Sequence, residues 1–326
     1  MVEQQGVVET TSTRMDPTGI SPTGISPTGK ASFFKNATRT ARDYVSLTKP
    51  PIISLLVVTA VGAMFLAAQG PPPLAMVLLV CLGGALGAGG ANSLNHFLEQ
   101  DIDRMMSRTS KRPVAEHRIS PAKALAFGVL LNILAFGILA IWVNLLAASL
   151  TMAASLFYIL VYTSWLKRTT PHNIVIGGAA GAIPPMVGWA AVTGGVDLPA
   201  LYLFTIVFFW TPPHFWALAL LIEKDYQRAG IPMLPVVAGR ETTVGNIFLY
   251  SLVLIALTLV FAATSAVGLI YLGSAVVLGG VFLSLAWRLK RDSTTPKARA
   301  LYLYSLLYLA LLFVAILADS MVGPMI

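Results

Sequence analysis

Charged residues are scarce in this chain. Asp, Glu, Lys and Arg make up only 11% of its 326 residues, and hydrophobic residues make up 56%. A soluble domain carries about 25% charged residues. A chain this apolar cannot cover a water-facing surface, so the composition excludes an ordinary soluble protein and indicates that a lipid bilayer is its solvent.

Cysteine is almost absent as well. Cys81 is the single cysteine and lies in an apolar run, which excludes an intrachain disulfide and a metal cage built from cysteines. Acidic residues are fewer than basic ones, and the net charge is +8. Nucleic-acid binding is one explanation of a basic chain, but basic residues also collect in the cytoplasmic loops of multi-pass membrane proteins. We therefore expect no nucleic-acid partner.

The N-terminal residues are polar and repetitive. A five-residue repeat begins at Pro17, Pro22 and Pro27. Proline and glycine at fixed spacing, with few aromatic residues, cannot bury a core. We predict a disordered polar tail over residues 1–42 and a transmembrane domain over residues 43–326.

Nine apolar segments follow the tail. Each approaches the roughly 20 residues that a helix needs to cross a bilayer. They lie at about 51–69, 74–98, 122–141, 144–163, 172–193, 199–220, 244–265, 268–287 and 300–319. The pattern predicts an all-α polytopic membrane protein with nine transmembrane helices.

The distribution of positive charge agrees with nine spans. The tail and the even-numbered connections hold all 22 Lys and Arg residues. By the positive-inside rule, the N-terminus and these connections face the cytoplasm. The middle of each predicted span lacks Asp, Glu, Lys and Arg, which argues against an ion-coupled transporter.

Three polar side chains recur at a spacing of four where the second apolar segment ends: Asn95, Glu99 and Asp103. On a helix this spacing places them on one face. Because like charges at this spacing repel each other, we predict a cation between them. Oxygen ligands favour Mg²⁺ or Ca²⁺. Asp101 falls on a different face.

A run of cations follows these acids. Arg108, Lys111 and Arg112 suit contacts with phosphate oxygens, and Lys167 lies in a later connection at the same membrane surface. Acids for a metal and cations for an anion together predict a metal–diphosphate site. The alternative is a juxtamembrane loop whose basic residues contact anionic lipid head groups.

A second polar group lies at the end of the sixth segment. His214 follows Pro212 and Pro213, which should kink or break the helix, and Glu223 and Asp225 come about ten residues later. We interpret His214 as a substrate-facing residue; the alternative is a histidine that makes only structural hydrogen bonds. Two acidic sites that face each other could hold two Mg²⁺ ions on one diphosphate.

Diphosphate binding beneath a membrane points to an isoprenoid donor. Mg²⁺ and the cations would stabilise the departing diphosphate and lower the barrier to an allylic carbocation.

Several motifs resemble one family. The pattern Asn95-x-x-x-Glu99-x-x-x-Asp103 resembles the first acidic motif of the intramembrane prenyltransferases related to 4-hydroxybenzoate polyprenyltransferase, the UbiA type. The stretches 101–109, 173–185, 213–218 and 225–235 are similar, in order, to the heme-modifying members of this family. The similarity covers about residues 43–320.

The resemblance implies nine helices around a central cavity, Mg²⁺ as cofactor, and transfer of farnesyl from farnesyl diphosphate to a vinyl group of protoheme IX. By this likeness Asn95, Glu99 and Asp103 would be the catalytic metal–diphosphate ligands, and His214 would face the heme. The implied phosphate-binding residues are Arg108, Lys111, Arg112 and Lys167. Glu223 and Asp225 would form a second acidic site.

The resemblance also implies a bacterial cell membrane, with the active site at its cytoplasmic face. Expected partners are the bilayer, the two substrates, and a heme A synthase or assembly proteins of heme–copper oxidases. One departure concerns the entry motif Leu47-Thr-Lys49-Pro50-Pro51, where an Arg commonly follows the first Pro. This departure leaves a catalytic role for Lys49 unassigned.

Two alternatives stay open at the level of sequence. One is a prenyltransferase with a quinone, chlorophyllide or lipid acceptor. The other is a polytopic transporter or a heme-binding protein, which would tolerate the loss of Glu99 or Asp103.

Overall fold

The computed structural model describes residues 29–322, with side chains from residue 38. Residues 1–28 of the predicted tail lie outside the described residues. From Gly29 the chain is helical, so helix begins before the predicted domain boundary at residue 43. The chain divides into two units, Met1–Ala41 and Arg42–Ile326, and every contact described below lies within the second.

Every regular element in residues 29–322 is helical. The helices, in chain order, are α1 (Gly29–Thr48), α2 (Pro50–Ala68), α3 (Leu74–Leu98), α4 (Gln100–Met105), α5 (Pro121–Trp142), α6 (Leu145–Leu156), a π-helical segment (Phe157–Leu166), α7 (Lys167–Thr169), α8 (Asn173–Ala182), α9 (Pro184–Thr193), α10 (Leu198–Leu221), α11 (Glu223–Arg228), α12 (Leu234–Ala262), α13 (Leu269–Arg291) and α14 (Thr295–Val322).

The predicted all-α architecture with nine spans is confirmed. Within the described part of the chain, nine helical stretches are long and apolar enough to cross a membrane. The seventh begins at Leu234, whereas the sequence places its start at residue 244. The difference arises because α12 continues through a bend at Gly239 (φ 79°, ψ 171°), and the polar residues around that bend do not read as part of an apolar run.

Local sequence sets several helix starts. Pro50 and Pro51 occupy the first turn of α2, where a missing N–H costs nothing. Ser120 caps α5 by accepting a hydrogen bond from the backbone N–H of Lys123. The two prolines of α10 do not end that helix, which continues through Pro212 and Pro213 to Leu221.

Small residues bring neighbouring helices close together. A Cβ atom added at Gly90 would collide with the Asn132 side chain and with the backbone of Gly128, so α3 and α5 can approach closely only because residue 90 is glycine. The same holds for Gly188 of α9 against Ala60 of α2. This close packing places the C-terminal end of α3, which carries Asn95 and leads into Glu99 and Asp103, against its neighbours.

Candidate active site

Asn95, Glu99 and Asp103, which we call the acidic stripe, stay aligned across a break between two helices. α3 ends at Leu98, and α4 begins at Gln100 after a non-helical Glu99 (φ −103°, ψ 12°). The backbone N–H of Glu99 still donates to the carbonyl of Asn95 at 2.9 Å, and that of Asp103 to the carbonyl of Glu99 at 2.8 Å. Asn95, Glu99 and Asp103 therefore share one face, and each is only 2% exposed.

Each member of the stripe contacts a cation from a different part of the chain. Lys49 donates to Asn95 Oδ1 at 2.8 Å from the hinge between α1 and α2. Lys167 donates to Glu99 Oε1 at 2.5 Å. Arg112 Nη1 contacts both carboxylate oxygens of Asp103, at 2.7 and 2.9 Å. Buried carboxylates need such partners, because an isolated charge in a dry interior is very costly.

The cations keep the buried carboxylate of Glu99 ionised. Burial alone raises the pKa of this group, but the positive charges of Lys167, Lys49 and Arg112 outweigh burial and hold the pKa below its ordinary value. Burial, together with the charge of Arg112, lowers the pKa of the Lys49 ammonium well below its ordinary value. Lys167 and Arg112 each pair with one carboxylate, and Lys49 adds a further N–H donor beside Asn95.

The other two predicted phosphate ligands lie on the loop between α4 and α5. Arg108 and Lys111 are both exposed. The same loop contacts Asp103 through Arg112 and Thr109, so it lies against the acidic stripe.

Asp225 connects the second acidic motif to this loop. Its carboxylate accepts hydrogen bonds from the hydroxyl of Ser107 at 2.7 and 2.9 Å and from the backbone N–H of Arg108 at 3.4 Å. The bond from Ser107 lowers the pKa of Asp225. Glu223 pairs with Arg240 at 3.6 Å, and it lines one cleft together with Ser107 and Asp225. Asp225 is thus the member of the second motif that bonds directly to the loop carrying Arg108, whereas Glu223 lies in the same cleft without a hydrogen bond to that loop among the described residues.

Asp101 lies outside the stripe, as its position in the helix predicts. It forms a two-pronged ion pair with Arg168, at 2.8 and 2.9 Å, on the surface. Arg168 also donates to the carbonyl of Leu98, so it joins the fourth span to the end of α3 beside Lys167.

A π-helical segment adds Thr163 to the site. Thr163 Oγ1 accepts a hydrogen bond from Asn95 Nδ2 at 3.2 Å, and the rings of Tyr158 and Tyr162 stack at 5.6 Å. Such wide turns are rare in proteins overall, and those that do occur are often found at functional sites. Gly177 of α8 leaves the room that the ring of Tyr162 occupies.

Sequence reasoning also left Lys49 and Ser107 without a role in the site. Lys49 directly precedes Pro50 of the entry motif, and Ser107 directly precedes the predicted phosphate ligand Arg108. These adjacent positions are the sequence features that could have pointed to the two residues. Thr163 has no comparable signal, because only the π-helical turn directs it at Asn95.

His214 is a fixed member of an aromatic stack. It is 6% exposed, and its Nδ1 shares a hydrogen bond of 2.7 Å with the hydroxyl of Ser305. Its ring is stacked with Trp210 at 4.3 Å and with Tyr302 at 5.0 Å. These contacts fix the orientation of the imidazole and leave Nε2 as the edge for a ligand.

The donor set is compatible with Mg²⁺ that is shared with a substrate. Within the described residues, no group of three or more His, Cys, Asp and Glu side chains is placed to hold a metal by itself. Asn95, Glu99 and Asp103 provide an amide oxygen and two carboxylates. Mg²⁺ usually takes one or two carboxylates and completes its shell with water and substrate phosphates.

Comparisons with known proteins agree with this geometry. The UbiA prenyltransferase family matches residues 55–317. The chain is 55% identical over 281 residues to a protoheme IX farnesyltransferase of Roseiflexus sp. (strain RS-1), covering 86% of this chain and 53% of that protein. It is 51% identical over 283 residues to a protoheme IX farnesyltransferase of Symbiobacterium thermophilum, covering 86% and 95%. The chain thus spans about half the length of the Roseiflexus relative and nearly all of the Symbiobacterium one.

Two solved structures share the fold. A digeranylgeranylglyceryl phosphate synthase matches with a TM-score of 0.72 at 16% identity, covering 87% of this chain and 99% of that chain. A UbiA homolog from Archaeoglobus fulgidus bound to GPP and Mg²⁺ matches with a TM-score of 0.59 at 17% identity, covering 85% and 99%. At these identities the likeness concerns the fold.

Proposed function

We propose, since this chain belongs to the UbiA prenyltransferase family, that it is a membrane enzyme that transfers the farnesyl group of farnesyl diphosphate to a vinyl group of protoheme IX to give heme O. The observation that carries the proposal is the buried stripe Asn95/Glu99/Asp103, in which every member contacts a cation. The choice of heme as acceptor is supported by relatives that are named protoheme IX farnesyltransferases.

Two ion pairs and one hydrogen bond fix the basic side chains of the site in place. Lys49, Lys167 and Arg112 already lie at the bottom of the site, so a diphosphate meets donors whose positions need little reordering. Arg108 and Lys111 extend the basic surface along the loop. Asp225 holds that loop through Ser107 and the Arg108 backbone, which keeps it beside the stripe.

The reaction then requires that the departing diphosphate is stabilised and that water is excluded from the site. The bond between farnesyl C1 and the diphosphate oxygen breaks, and its electron pair leaves with the diphosphate. Asn95, Glu99 and Asp103 would hold Mg²⁺, which when bound supplies charge that neutralises the departing diphosphate. The protein's own cations act in the same direction in a water-poor site, where fixed charges are most effective.

The acceptor supplies the electrons for the new bond. The terminal vinyl carbon of protoheme IX bonds to farnesyl C1, and the resulting cation next to the porphyrin ring takes up water and releases a proton, which gives a hydroxyethylfarnesyl group. His214 would face the heme with its Nε2 edge, since Ser305 and two aromatic rings occupy the rest of the imidazole.

The setting follows from the charge pattern and the relatives. The nine apolar helices make the chain an integral multi-pass membrane protein. We propose that the acidic stripe lies at the cytoplasmic face of a bacterial cell membrane, because all Lys and Arg residues fall on the connections predicted to lie there. A heme A synthase or assembly proteins of heme–copper oxidases would then be the partners that use heme O.

Mass analysis of the reaction product tests the proposal. Purified protein is incubated with heme B, farnesyl diphosphate and Mg²⁺, and a farnesylated, hydrated heme is expected. Glu99→Gln should abolish the product, whereas the matched control Glu116→Gln, an exposed residue of the same loop region that pairs with Arg118, should not. Absence of farnesylated heme together with prenylation of a quinone precursor would assign the chain to a different acceptor.

A further inference from the structure

One buried side chain at the site lacks a partner. His96 of α3 is 1% exposed, and neither of its ring nitrogens has a hydrogen-bond partner among the residues the structure describes. The large majority of buried side-chain polar atoms in native proteins have such a partner. The usual solutions for the remainder are an ordered water molecule or a ligand.

The position of His96 favours a ligand at the active site. It follows Asn95 directly and precedes Glu99 by three residues, a spacing that puts His96 and Glu99 on one face of a helix. Asn92, four residues earlier, donates to the carbonyl of Thr48 at 2.9 Å. The same face therefore turns toward the hinge that carries Lys49.

The residues around His96 indicate which kind of ligand could accept its hydrogen bond. Lys49 is bonded to the adjacent Asn95 at 2.8 Å, and Arg112 to Asp103 of the same stripe at 2.7 Å. Lysine and arginine side chains only donate hydrogen bonds, so they cannot accept the N–H of the imidazole. An oxygen-rich anion is the ligand that could accept from all three side chains at once.

We propose that His96 is a further substrate-binding residue, whose ring N–H donates to a diphosphate oxygen of the prenyl donor beside Lys49 and Arg112. This role rests on the proposed function, which supplies the diphosphate. It also explains why the imidazole stays unpaired inside the protein: binding the anion breaks no existing hydrogen bond of His96. The buried His214 differs in this respect, because its Nδ1 is already bonded to Ser305.

Nuclear magnetic resonance of the histidine side chains tests the contact directly. The chain has four histidines, so selective ¹⁵N-histidine labelling of the full protein in lipid nanodiscs gives few signals, and His96→Gln assigns one of them. Inorganic pyrophosphate, with and without Mg²⁺, should shift the His96 ring signals in a saturable way and leave those of the exposed His172 unchanged. An unchanged His96 signal at pyrophosphate concentrations that saturate the protein contradicts the inference.

Variants separate a binding role from a packing role. His96→Phe keeps a ring but removes both nitrogens, and it should weaken pyrophosphate inhibition and raise the KM for farnesyl diphosphate by about tenfold, while the KM for heme stays the same. His96→Gln should recover part of the loss, and the control His172→Phe should change neither constant. Loss of thermal stability in His96→Phe with unchanged pyrophosphate inhibition would overturn the inference.

The two proposals fail separately. If the wild-type protein forms no farnesylated heme, the proposed function is wrong, but the pyrophosphate titration still reports on His96. If the wild-type protein farnesylates heme and the His96 ring signals do not shift with pyrophosphate, only the role of His96 is refuted.

Discussion

At the scale of single residues, the site consists of acids that are buried only because cations accompany them. Glu99 and Asp103 are each 2% exposed, and each is paired by a residue far away in the chain or across a loop. Removing one partner of such a pair leaves an uncompensated charge in the interior, which is strongly destabilising. These pairs therefore serve folding in the free protein and would serve substrate binding in the complex.

Lys49, which contacts Asn95 of the same stripe, offers a test of whether these basic side chains also bind the substrate. Lys49→Met removes the donor on Asn95, and we expect the KM for farnesyl diphosphate to rise about tenfold, because a charged hydrogen bond to phosphate is lost. Lys49→Arg should keep more of the activity. The control is Lys123→Met, an exposed lysine at the start of α5. Wild-type kinetics in Lys49→Met would show that the lysine only packs against the stripe.

Ser107 offers a test with a defined pH dependence. Its hydrogen bond depresses the pKa of Asp225 in the folded state. The resulting stability is present above the pKa of the unfolded aspartate, about 3.9, and is lost as the pH falls through the lower folded pKa. Ser107→Ala should therefore lower stability by about 1 kcal/mol at pH 7, and less at strongly acidic pH.

Thermal unfolding of detergent-solubilised protein at the two pH values measures this difference. Ser110→Ala on the same loop is the matched control, since its hydroxyl contacts only the carbonyl of Ser107. An equal loss for Ser107→Ala at neutral and acidic pH would contradict the linkage to Asp225.

At the scale of helices, irregular segments direct side chains into the site that a regular α-helix would point elsewhere. The π-helical turn directs Thr163 at Asn95, and the break at Glu99 separates α3 from α4 while keeping the stripe aligned. α10 instead stays helical through Pro212 and Pro213. We attribute this to its burial among neighbouring helices, because tertiary packing can outweigh the cost of a proline within a helix.

Asp319 of α14 provides a prediction about one helix end. Its carboxylate accepts hydrogen bonds from the backbone N–H groups of Gly268, Ile270 and Tyr271, and so caps the start of α13. Asp319→Ala should lower the free energy of unfolding by roughly 1–3 kcal/mol, because buried donors lose their acceptor. Thermal unfolding measures the loss.

The neighbouring Ser320→Ala serves as control, since that hydroxyl bonds only within its own helix. Below its unfolding temperature, the Asp319→Ala protein should retain its activity, because Asp319 is not part of the acidic stripe. Unchanged stability in Asp319→Ala would show that water replaces the cap.

At the scale of the whole molecule, the charge pattern predicts which face carries the active site. With Cys81→Ala as background, one cysteine is placed in the connection between α12 and α13 as Ser265→Cys, and in a second protein between α13 and α14 as Thr294→Cys. A membrane-impermeant maleimide added to intact spheroplasts should label Ser265→Cys and leave Thr294→Cys unmodified until the membrane is opened. The reverse pattern would place the N-terminus and the acidic stripe outside.

The sequence by itself determined the all-α architecture, the number of spans and the acidic stripe. Each of these depends on local periodicity: about 20 apolar residues cross a bilayer, and a spacing of four aligns Asn95, Glu99 and Asp103 wherever the chain is helical. Positive charge on alternate connections likewise predicts the orientation.

Only the tertiary structure decided which side chains contact the stripe and the second acidic motif. Lys49 reaches Asn95, Lys167 reaches Glu99, and Ser107 reaches Asp225 across separations of 46, 68 and 118 residues. Periodicity carries no information over such distances. The same packing pairs Glu223 with Arg240 and leaves His96 without a hydrogen-bond partner among the described residues, because both outcomes depend on how separate helices meet.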